Sequence, residues 1–489
     1  MIKPHTEFND QVIVAVNPMK PEAVEKKYRD WPFAILFIMN IGVIFVLMAS
    51  LGVSAVRTNN SLRDSLSHND MKALAGVSSG MTTLAMVLAV MMTKIIPSYA
   101  RCMIIFVLWL NFGVAIAFAG IAIALGAFVF AAVGVIIAIL NWCYVRRVKH
   151  RIPLAVAQLR IAEAAISNNR ATYVVALVFA VLQILWVVMW SLAVLGVISH
   201  SSQTLSNTQT RYGGNHSWAF ALLLLSFYWG VHVLKNVVHT TIAGTIAAFW
   251  YQSESVNTTT SSLKRAMTTS FGSICFGSLI VAILQTLHEL AKTSRKSRGA
   301  AACIAECLLA WLGSIMKYFN RWAYVYVGIY GYSFMKAGSA VSQLFHQRGF
   351  TGLINDDLVR IVIRLTAIGV GLVCAGFGAL IAELSDAFAF ESSTTLLTIL
   401  GFVIGFSVAF TPLAAVSSSV ATIFVCFAED PAPFQRSHPE LYAVLAQGWH
   451  SLHPEFIAQA GPHFNINVAI FETCITLIPI LFTVGGVSA

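Results

Sequence analysis

Charged residues are scarce in this sequence: Asp, Glu, Lys and Arg make up 11% of its 489 residues. A soluble globular domain ordinarily carries about 25%. Acidic residues number only 21, and few of them fall inside the long apolar blocks that fill the sequence. This shortage excludes an ordinary soluble protein, and it leaves no carboxylate pair of the kind that many hydrolases use.

Several motifs of enzymes and metal sites are also missing. The sequence has no phosphate-binding P-loop, no zinc-protease HExxH and no serine-hydrolase GxSxG. Its eight cysteines form no CxxC pair and no Cys/His cluster with zinc spacing. Cys303 and Cys307 share a helix face, where a structural role and palmitoylation both remain open. We expect no enzyme, no metal site and no cofactor.

Apolar residues dominate instead, at 57% of the chain, and the mean hydropathy is +0.76. A helix of about 20 apolar residues is long enough to cross a bilayer. Ten blocks of roughly this length predict an all-α polytopic membrane protein, a bundle of about ten transmembrane helices, some of them long or broken. The blocks are Trp31–Val53, Ala73–Met92, Met103–Phe118, Ile121–Val145, Thr172–Ile198, Trp218–Tyr251, Phe271–Leu290, Ala310–Gln343, Leu358–Ile381 and Leu396–Phe427.

Basic loops predict the orientation. Arg146–Arg170 contains six Lys or Arg residues around an amphipathic stretch, which indicates a cytosolic or interfacial helix. The loop 200–215 has one Arg, no Lys and a glycosylation sequon at Asn215, which indicates the outside. Both termini are then cytosolic, although this places the basic linker 291–300 outside, against the usual charge bias. We attribute the net charge of +10 to basic cytosolic loops rather than to nucleic-acid binding.

Three regions follow from this orientation. We expect residues 1–30 to form a cytosolic N-terminal segment, residues 31–428 to form the transmembrane domain, and residues 429–489 to form a cytosolic tail. The tail contains a further apolar block, Val468–Val484, whose length is at the lower limit for a membrane span. Whether this terminal helix crosses the membrane or lies against it remains open.

The sixth block is unusually long. Trp218–Tyr251 contains 34 residues with Lys235 as its only charge. A helix of that length is about 50 Å long, whereas the hydrocarbon core is roughly 30 Å thick. The helix is therefore either tilted or broken, and Gly230 and Gly244 are candidate breaks. The polar residues of this block share one helix face, which indicates a pathway or a hydrogen-bond network. They are His232, Lys235, Asn236 and His239.

Aromatic residues are concentrated in Asn320–Gly331. On a helix, Trp322, Tyr326 and Tyr330 fall at positions i, i+4 and i+8 and form a stripe, whereas Tyr324 points elsewhere. Such a stripe serves packing, an interfacial belt, or cation–π recognition of a quaternary ammonium. The last of these requires rings from other helices to converge on the same point.

A candidate cation site can be assembled from these blocks. Rings from the fifth and sixth blocks would complete an aromatic cage, and a neutral amide would hold a hydroxyl group of the ligand. Acids are so scarce that the pattern fits a permanent cation such as choline better than a metal ion or a protonated amine. Glu289 is the nearest acid, with a role as a helix-boundary residue as the alternative. The candidate binding residues are Trp190, Trp229, Asn236, Gln285, Glu289, Tyr324, Tyr326 and Tyr330.

Four blocks, in order, resemble the choline transporter-like family, in the branch that includes the fungal and protist Pns1-type proteins. They cover about Trp218–Pro431. The blocks read FYWGVHVLKNVV leading to IAGTIAAFWY, then TSFGSICFGSLIVAILQ, NRWAYVYVGIYGYSF and FVCFAEDP. The resemblance implies about ten helices, cytosolic termini, and choline or ethanolamine as the substrate. Lys235, next to Asn236, departs from this expectation, because a basic side chain is unfavourable near a cation.

The leading hypothesis is a facilitative transporter, driven by the membrane potential, that moves choline or a related small amine by alternating access. Helix breaks would place its site near the membrane midplane. The expected partners are this small cationic solute and membrane lipids, with no nucleic acid, and the expected location is the plasma membrane or an organelle membrane. The alternative is a non-transporting membrane scaffold or a lipid-handling protein. A channel is less consistent, because we find no polar ring for a pore.

Overall fold

The computed structural model describes residues 28–58, 68–124, 126, 128–207, 217–251, 257–298, 300–348, 351–384 and 393–452. Regular structure within these ranges is helical throughout, with no strand, which confirms the all-α prediction. Most of segment 1–30, most of the loop 200–215 and the terminal block Val468–Val484 lie outside the described residues.

The helices follow one another with short connections. The N-terminal half comprises α1 (Trp31–Leu47), a π-helical turn (Met48–Gly52), α2 (Val53–Thr58), α3 (His68–Ser98), α4 (Ala100–Ala124), α5 (Phe128–Val148), a 3-10 turn (Lys149–Arg151), α6 (Ile152–Asn168) and α7 (Ala171–Asn207). The C-terminal half comprises α8 (Ser217–Tyr251), α9 (Thr258–Met267), α10 (Phe271–Arg298), α11 (Ala300–Tyr330), α12 (Phe334–Arg348), α13 (Thr351–Leu384), α14 (Ser393–Glu429), α15 (Ala432–Ser437) and α16 (Pro439–Leu452).

Eight of the described helices contain stretches that are long and apolar enough to span a membrane, which confirms a polytopic membrane protein. The stretches are Trp31–Ala55, Gly76–Ser98, Ala100–Ala124, Ala171–His200, Trp218–Tyr251, Phe271–Lys292, Leu358–Glu383 and Thr394–Glu429. Two predicted blocks are not among these eight stretches. The fourth block corresponds to α5, whose apolar part, Ala131–Arg146, is shorter than the eight. The eighth block corresponds in its first part to α11, which contains charged residues. The turn between α4 and α5 lies at Gly126 (φ 71°), so the sequence boundary near residue 120 was wrong.

The eighth block, Ala310–Gln343, is not one helix as predicted. Gly331 adopts a left-handed conformation (φ 65°), which a residue without a Cβ reaches at little cost, and it ends α11. The next helix, α12, starts at Phe334, whose backbone N–H donates to Asp30 Oδ2 over 3.0 Å. The Ser273 hydroxyl donates to the same oxygen over 2.7 Å. Asp30 therefore joins the beginnings of α1, α10 and α12.

The long helix α8 is continuous, so of the two predicted alternatives it is the unbroken one, and the candidate breaks at Gly230 and Gly244 are not breaks. A Cβ added at Gly230 would lie 2.1 Å from a carbon of the Trp186 ring. At Gly244 it would lie 2.7 Å from the guanidinium of Arg265 and 3.1 Å from the carbonyl oxygen of Gly328. Both glycines therefore allow other helices to approach closely, because no side chain would fit there.

One end of the bundle, which we call the Glu429 end, brings together the ends of α8, α11 and α14 and the beginnings of α1 and α10. The Trp250 indole donates to the Asp430 carbonyl oxygen over 2.9 Å, and the Arg29 N–H donates to the Thr269 carbonyl oxygen over 3.0 Å. Helices α13 and α14 pack closely where Gly401 meets Cys374, at the end of the bundle opposite to Glu429. Helix α13 therefore begins at the Glu429 end and runs toward the opposite end. Helix α12 starts beside Asp30 and leads into α13, so both ends of α12 lie at the Glu429 end.

The basic region after α5 folds as the predicted helix, α6, but its apolar face is buried within the protein. Leu154, Leu159 and Ile161 are all buried, and Leu154 lies against Gly448 of α16. The chain after Glu429 is fixed in the same way, because the Phe434 ring stacks on Trp250 at 4.2 Å. The described part of the C-terminal segment thus packs on the bundle.

Candidate functional site

Polar side chains of α8 point into the bundle and bond to α10, α11 and α14. We call this set the central polar network; it comprises His232, Asn236, His239, Ser278, Gln285, Arg321, Tyr324, Ser417 and Ser418. The sequence left open a pathway or a hydrogen-bond network for the polar face of α8, and the structure shows hydrogen bonds at His232, Asn236 and His239. Buried polar groups need such partners because water is absent from the interior.

Two of the predicted binding residues meet in this network. The Asn236 Nδ2 donates to the Ser278 hydroxyl over 2.9 Å, and that hydroxyl lies 3.2 Å from the Tyr324 hydroxyl. Tyr324 is fully buried, and its hydroxyl donates to the Ile274 carbonyl oxygen over 3.3 Å. Asn236 and Tyr324 are thus close together, with their polar atoms bonded within the protein.

A second branch of the network fixes Arg321. The His239 ring nitrogens lie 2.5 Å from the Ser418 hydroxyl and 2.8 Å from the Arg321 carbonyl oxygen. The Arg321 guanidinium donates to both the hydroxyl (2.7 Å) and the carbonyl oxygen (2.5 Å) of Ser417. Helix α14 therefore holds the Arg321 side chain, and α8 bonds to the Arg321 backbone.

Gln285 also has a partner within the protein. Its Oε1 lies 2.6 Å from the His232 Nε2, so the imidazole is the donor in this pair. Glu289 lies one turn farther along α10, half-buried, and its charge acts on Tyr228 of α8. These two predicted residues therefore share a helix face.

The two predicted tryptophans are in separate parts of the bundle. The Trp229 indole donates to the Cys275 carbonyl oxygen over 3.0 Å, and its ring contacts Phe37 at 5.1 Å. The Trp190 indole donates to the Leu223 carbonyl oxygen over 2.8 Å and belongs to a different apolar cluster. The structure does not bring these rings together with Tyr326 and Tyr330.

Tyr326 and Tyr330 instead form a second site at the Glu429 end. Their ring centroids lie 5.7 Å apart, and the Tyr330 ring stacks on Tyr332 at 5.3 Å. The Tyr330 hydroxyl donates to the Glu429 carboxylate, and Tyr326 bonds to the same carboxylate. Tyr251, at the end of α8, bonds to Tyr330. We call these five residues the tyrosine–glutamate cluster.

This cluster combines the two groups that recognise an organic cation, aromatic faces and a carboxylate. A cation already occupies one of its faces: the Lys336 ammonium lies 4.2 Å from the Tyr332 ring centroid. Sequence reasoning missed Tyr251, Tyr332 and Glu429. Tyr251 lies in the FWY sequence that ends the sixth block, and Glu429 lies in the FAEDP motif. Only the tertiary structure shows that these two segments meet.

Basic side chains lie near the central polar network. The Lys235 ammonium lies 5.4 Å from the Phe410 ring centroid, and four basic side chains exert the strongest electrostatic influence on it. Those four are Lys317, Arg321, Arg360 and Arg364. The centre of the bundle around Lys235 is therefore electropositive. Across the described residues, no group of three or more His, Cys, Asp or Glu is placed to hold a metal ion.

Comparison with known proteins gives one consistent result. A family model described as plasma-membrane choline transporter matches residues 128–432, which include both the network and the cluster. A CTL-like protein of Dictyostelium discoideum is 27% identical over 457 residues, covering 90% of this chain and 79% of the relative. Protein PNS1 of Mycosarcoma maydis is 28% identical over 88% of this chain and 86% of its own length. Protein PNS1 of Saccharomyces cerevisiae is 26% identical over 88% and 85%.

The family match covers more than half of the chain and agrees with the helical, membrane-spanning architecture. It supports a role in membrane transport for this integral membrane protein. The four sequence blocks that carried the resemblance all lie within or at the edge of the matched residues. This chain belongs to the choline transporter-like family.

Proposed function

We propose that this chain is a facilitative transporter of choline, or of a related small amine such as ethanolamine, and that the tyrosine–glutamate cluster holds the ammonium group. The observation that supports this most is the Glu429 carboxylate held against the hydroxyls of Tyr326 and Tyr330. A carboxylate beside aromatic faces attracts a quaternary ammonium by charge and by cation–π contact. Of the predicted cage, Tyr326 and Tyr330 remain in this proposal.

The position of the cluster suits a site that opens to one side of the membrane. Glu429, Tyr251 and Tyr330 are half-buried, so a ligand reaches the cluster without unfolding the bundle. Gly331 ends α11 directly beside it, and irregular backbone next to a binding site is common in transporters. Pro412 lies within α14 and removes a backbone hydrogen bond there, which provides a second point of bending for alternating access.

The membrane potential alone is a sufficient driving force for such a solute. Moving one positive charge through 100 mV releases about 2.3 kcal/mol, which corresponds to roughly 50-fold accumulation. No coupling ion is required by this proposal. The aromatic residues Trp190 and Trp229 then stabilise the bundle, since their indoles bond to backbone carbonyl oxygens.

The test is uptake of labelled choline by proteoliposomes, with and without an inside-negative potential. We expect saturable uptake that the potential enhances. Tyr326→Ala and Tyr330→Ala should each weaken choline by about 1–2 kcal/mol, or roughly 5- to 30-fold. Tyr330→Phe keeps the ring and should lose less. Tyr99→Ala is the matched control, because Tyr99 is exposed and lies between α3 and α4.

Two results would count against the proposal. If the alanine variants and Tyr99→Ala take up choline equally well, the cluster does not hold the ammonium group. Absence of any uptake by folded wild-type protein, for both choline and ethanolamine, would favour the non-transporting scaffold or lipid-handling alternative.

A further inference from the structure

The tyrosines that α11 and the following turn contribute to the tyrosine–glutamate cluster become more accessible toward the end of the helix. Tyr326 is 2% exposed, whereas Tyr330 and Tyr332 are half-buried. Tyr332 follows Gly331, where α11 ends, and its ring stacks on Tyr330 at 5.3 Å. The Tyr332 ring therefore extends the aromatic surface of the cluster from the buried Tyr326 toward the surface of the protein.

An ammonium group of the protein itself lies on this ring. The Lys336 Nζ is 4.2 Å from the Tyr332 ring centroid, well within the roughly 6 Å over which a cation–π attraction acts. To the ring face, a lysine ammonium and the ammonium group of a small amine are the same kind of partner. The two groups cannot occupy that face together, because each needs contact with it and like charges repel.

The backbone that carries Lys336 is fixed, but its side chain is not enclosed. The Phe334 N–H donates to Asp30 Oδ2 over 3.0 Å, and the Ala337 N–H donates to the Ser333 carbonyl oxygen over 2.9 Å. The Lys336 side chain is exposed, so its flexible four-carbon stem can swing the ammonium into water without disturbing α12. The lysine is thus tethered beside the ring and able to leave it.

A tethered cation competes with a ligand at a high effective concentration. A cation–π contact at an exposed site favours the occupied over the open ring face by about two- to fivefold. A ligand that needs this face binds only the molecules in which it is open. Its apparent Kd is therefore about three- to sixfold higher than it would be with the face always open.

We propose that Lys336 is a built-in competitor of the transported cation. Its ammonium lies on Tyr332 in the empty site, leaves when an ammonium ligand binds, and returns as the ligand departs. The lysine thereby weakens binding at the Glu429 end and favours release of the ligand there. This inference rests on the proposed function, because it requires a cationic ligand in the cluster, and it adds the residue that regulates the affinity of that site.

The first measurement follows the lysine itself by nuclear magnetic resonance. The full chain, in a maltoside detergent that carries no ammonium group, is reductively methylated with isotope-labelled formaldehyde, which labels its lysines and keeps their positive charge. The ring current displaces a methyl signal above an aromatic face upfield, and the signal that is missing from Lys336→Arg identifies Lys336. Lys264, an exposed lysine of α9 between α8 and α10, is the internal reference. We expect choline to move the Lys336 signal to the position of an exposed lysine and to leave the Lys264 signal unchanged.

The second measurement is equilibrium binding of radiolabelled choline to the same preparations. Lys336→Gln removes the competing cation, so the Kd should fall by about three- to sixfold. Lys336→Arg keeps a cation that can lie on the ring and should stay close to the wild type. Lys264→Gln removes one positive charge from a neighbouring helix and is the matched control, with an unchanged Kd. Monodisperse elution and an unchanged melting temperature establish that each variant is folded, and the choline titration of the wild type tests the displacement even where Lys336→Gln fails this check.

The possible failures of this inference and of the proposed function differ in their results. If choline binds but the Lys336 signal does not move, or if Lys336→Gln and Lys264→Gln bind choline equally tightly, Lys336 does not compete and the choline site stands. If the upfield Lys336 signal is present but neither the wild type nor Lys336→Gln binds choline, the cluster holds no choline, and both proposals are wrong. A Lys336 signal that already has the position of an exposed lysine in the absence of choline would overturn the competition whatever choline does.

Discussion

The tyrosine–glutamate cluster and the basic residues around Lys235 share helix α11, yet they have opposite electrostatic character. Helix α11 contributes Tyr326 and Tyr330 to the first and Lys317 and Arg321 to the second. At the Glu429 end, hydroxyls converge on a carboxylate. Halfway along, Lys235, Lys317 and Arg321 make the bundle electropositive, and the Arg321 guanidinium donates to Ser417.

This separation bears on how a cation would cross. In the proposed transport, an ammonium group would be attracted to the Glu429 carboxylate and repelled by the basic side chains around Lys235, where each neighbouring charge raises its energy. The two regions would therefore act in opposite directions on a cation that crosses.

The largest effect is expected from a substitution that removes the negative charge of Glu429. Glu429→Gln keeps the size of the side chain and its ability to accept from Tyr330, but removes the charge. We expect choline uptake to fall on the order of 10- to 100-fold, the range for a lost hydrogen-bonded charge. Proteoliposome uptake measures this loss.

Glu440→Gln is the control for this substitution, since Glu440 is an exposed acid of α16 at the same end. Equal uptake by the two glutamine variants would show that the cluster attracts no cation, and the two regions would then differ only in packing.

A second substitution disturbs the scaffold that supports both regions. Gly230→Ala would place a methyl group 2.1 Å from the Trp186 ring, so α7 and α8 would have to move apart. We expect destabilisation of about 1–3 kcal/mol, as for other overpacked sites, measured as a lower melting temperature. Gly42→Ala, with no atom within 4 Å, should leave the stability unchanged or higher. Similar melting temperatures for the two variants would contradict the close contact.

Gly230 also shows where sequence reasoning reached its limit. The long apolar blocks predicted the helices, because a bilayer requires that length and polarity. A glycine in a long helix, however, fits both a break and a close helix contact, and only Trp186 on another helix decides between them. The reverse error occurred at Gly331, where a continuous apolar pattern concealed a chain reversal.

The candidate site was predictable only within single helices. The i, i+4 spacing of Tyr326 and Tyr330 correctly placed them together. Their carboxylate partner, Glu429, is 99 residues from Tyr330 in sequence, and no periodic pattern connects it to α11. Trp190 and Trp229 were chosen as rings without knowledge of their neighbours, and backbone carbonyl oxygens occupy their indole donors.

A substitution at Trp229 separates a structural role of this ring from a role in ligand binding. Trp229→Phe keeps an aromatic ring but leaves the Cys275 carbonyl oxygen without its donor. We expect a loss of stability of about 1 kcal/mol and unchanged choline uptake per folded molecule. Melting temperature and uptake, normalised to folded protein, measure the two effects. Trp109→Phe, at an exposed tryptophan, should change neither. A loss of uptake without a loss of stability would return Trp229 to the binding site.

The smallest expected effect is a pH dependence confined to the Glu429 end. His438 stacks on Phe249 at 4.3 Å, and burial lowers the pKa of its imidazole. The unfolded chain, with an ordinary histidine pKa of about 6.5, therefore binds the proton first as the pH falls. The stability that this residue contributes is complete above about pH 6.5 and is lost as the pH falls below that value. His438→Phe keeps the ring and cannot titrate, so its melting temperature should fall less than that of the wild type between about pH 7.5 and 5.5. Parallel curves for the two proteins would mean that His438 is equally easy to protonate in the folded and unfolded states.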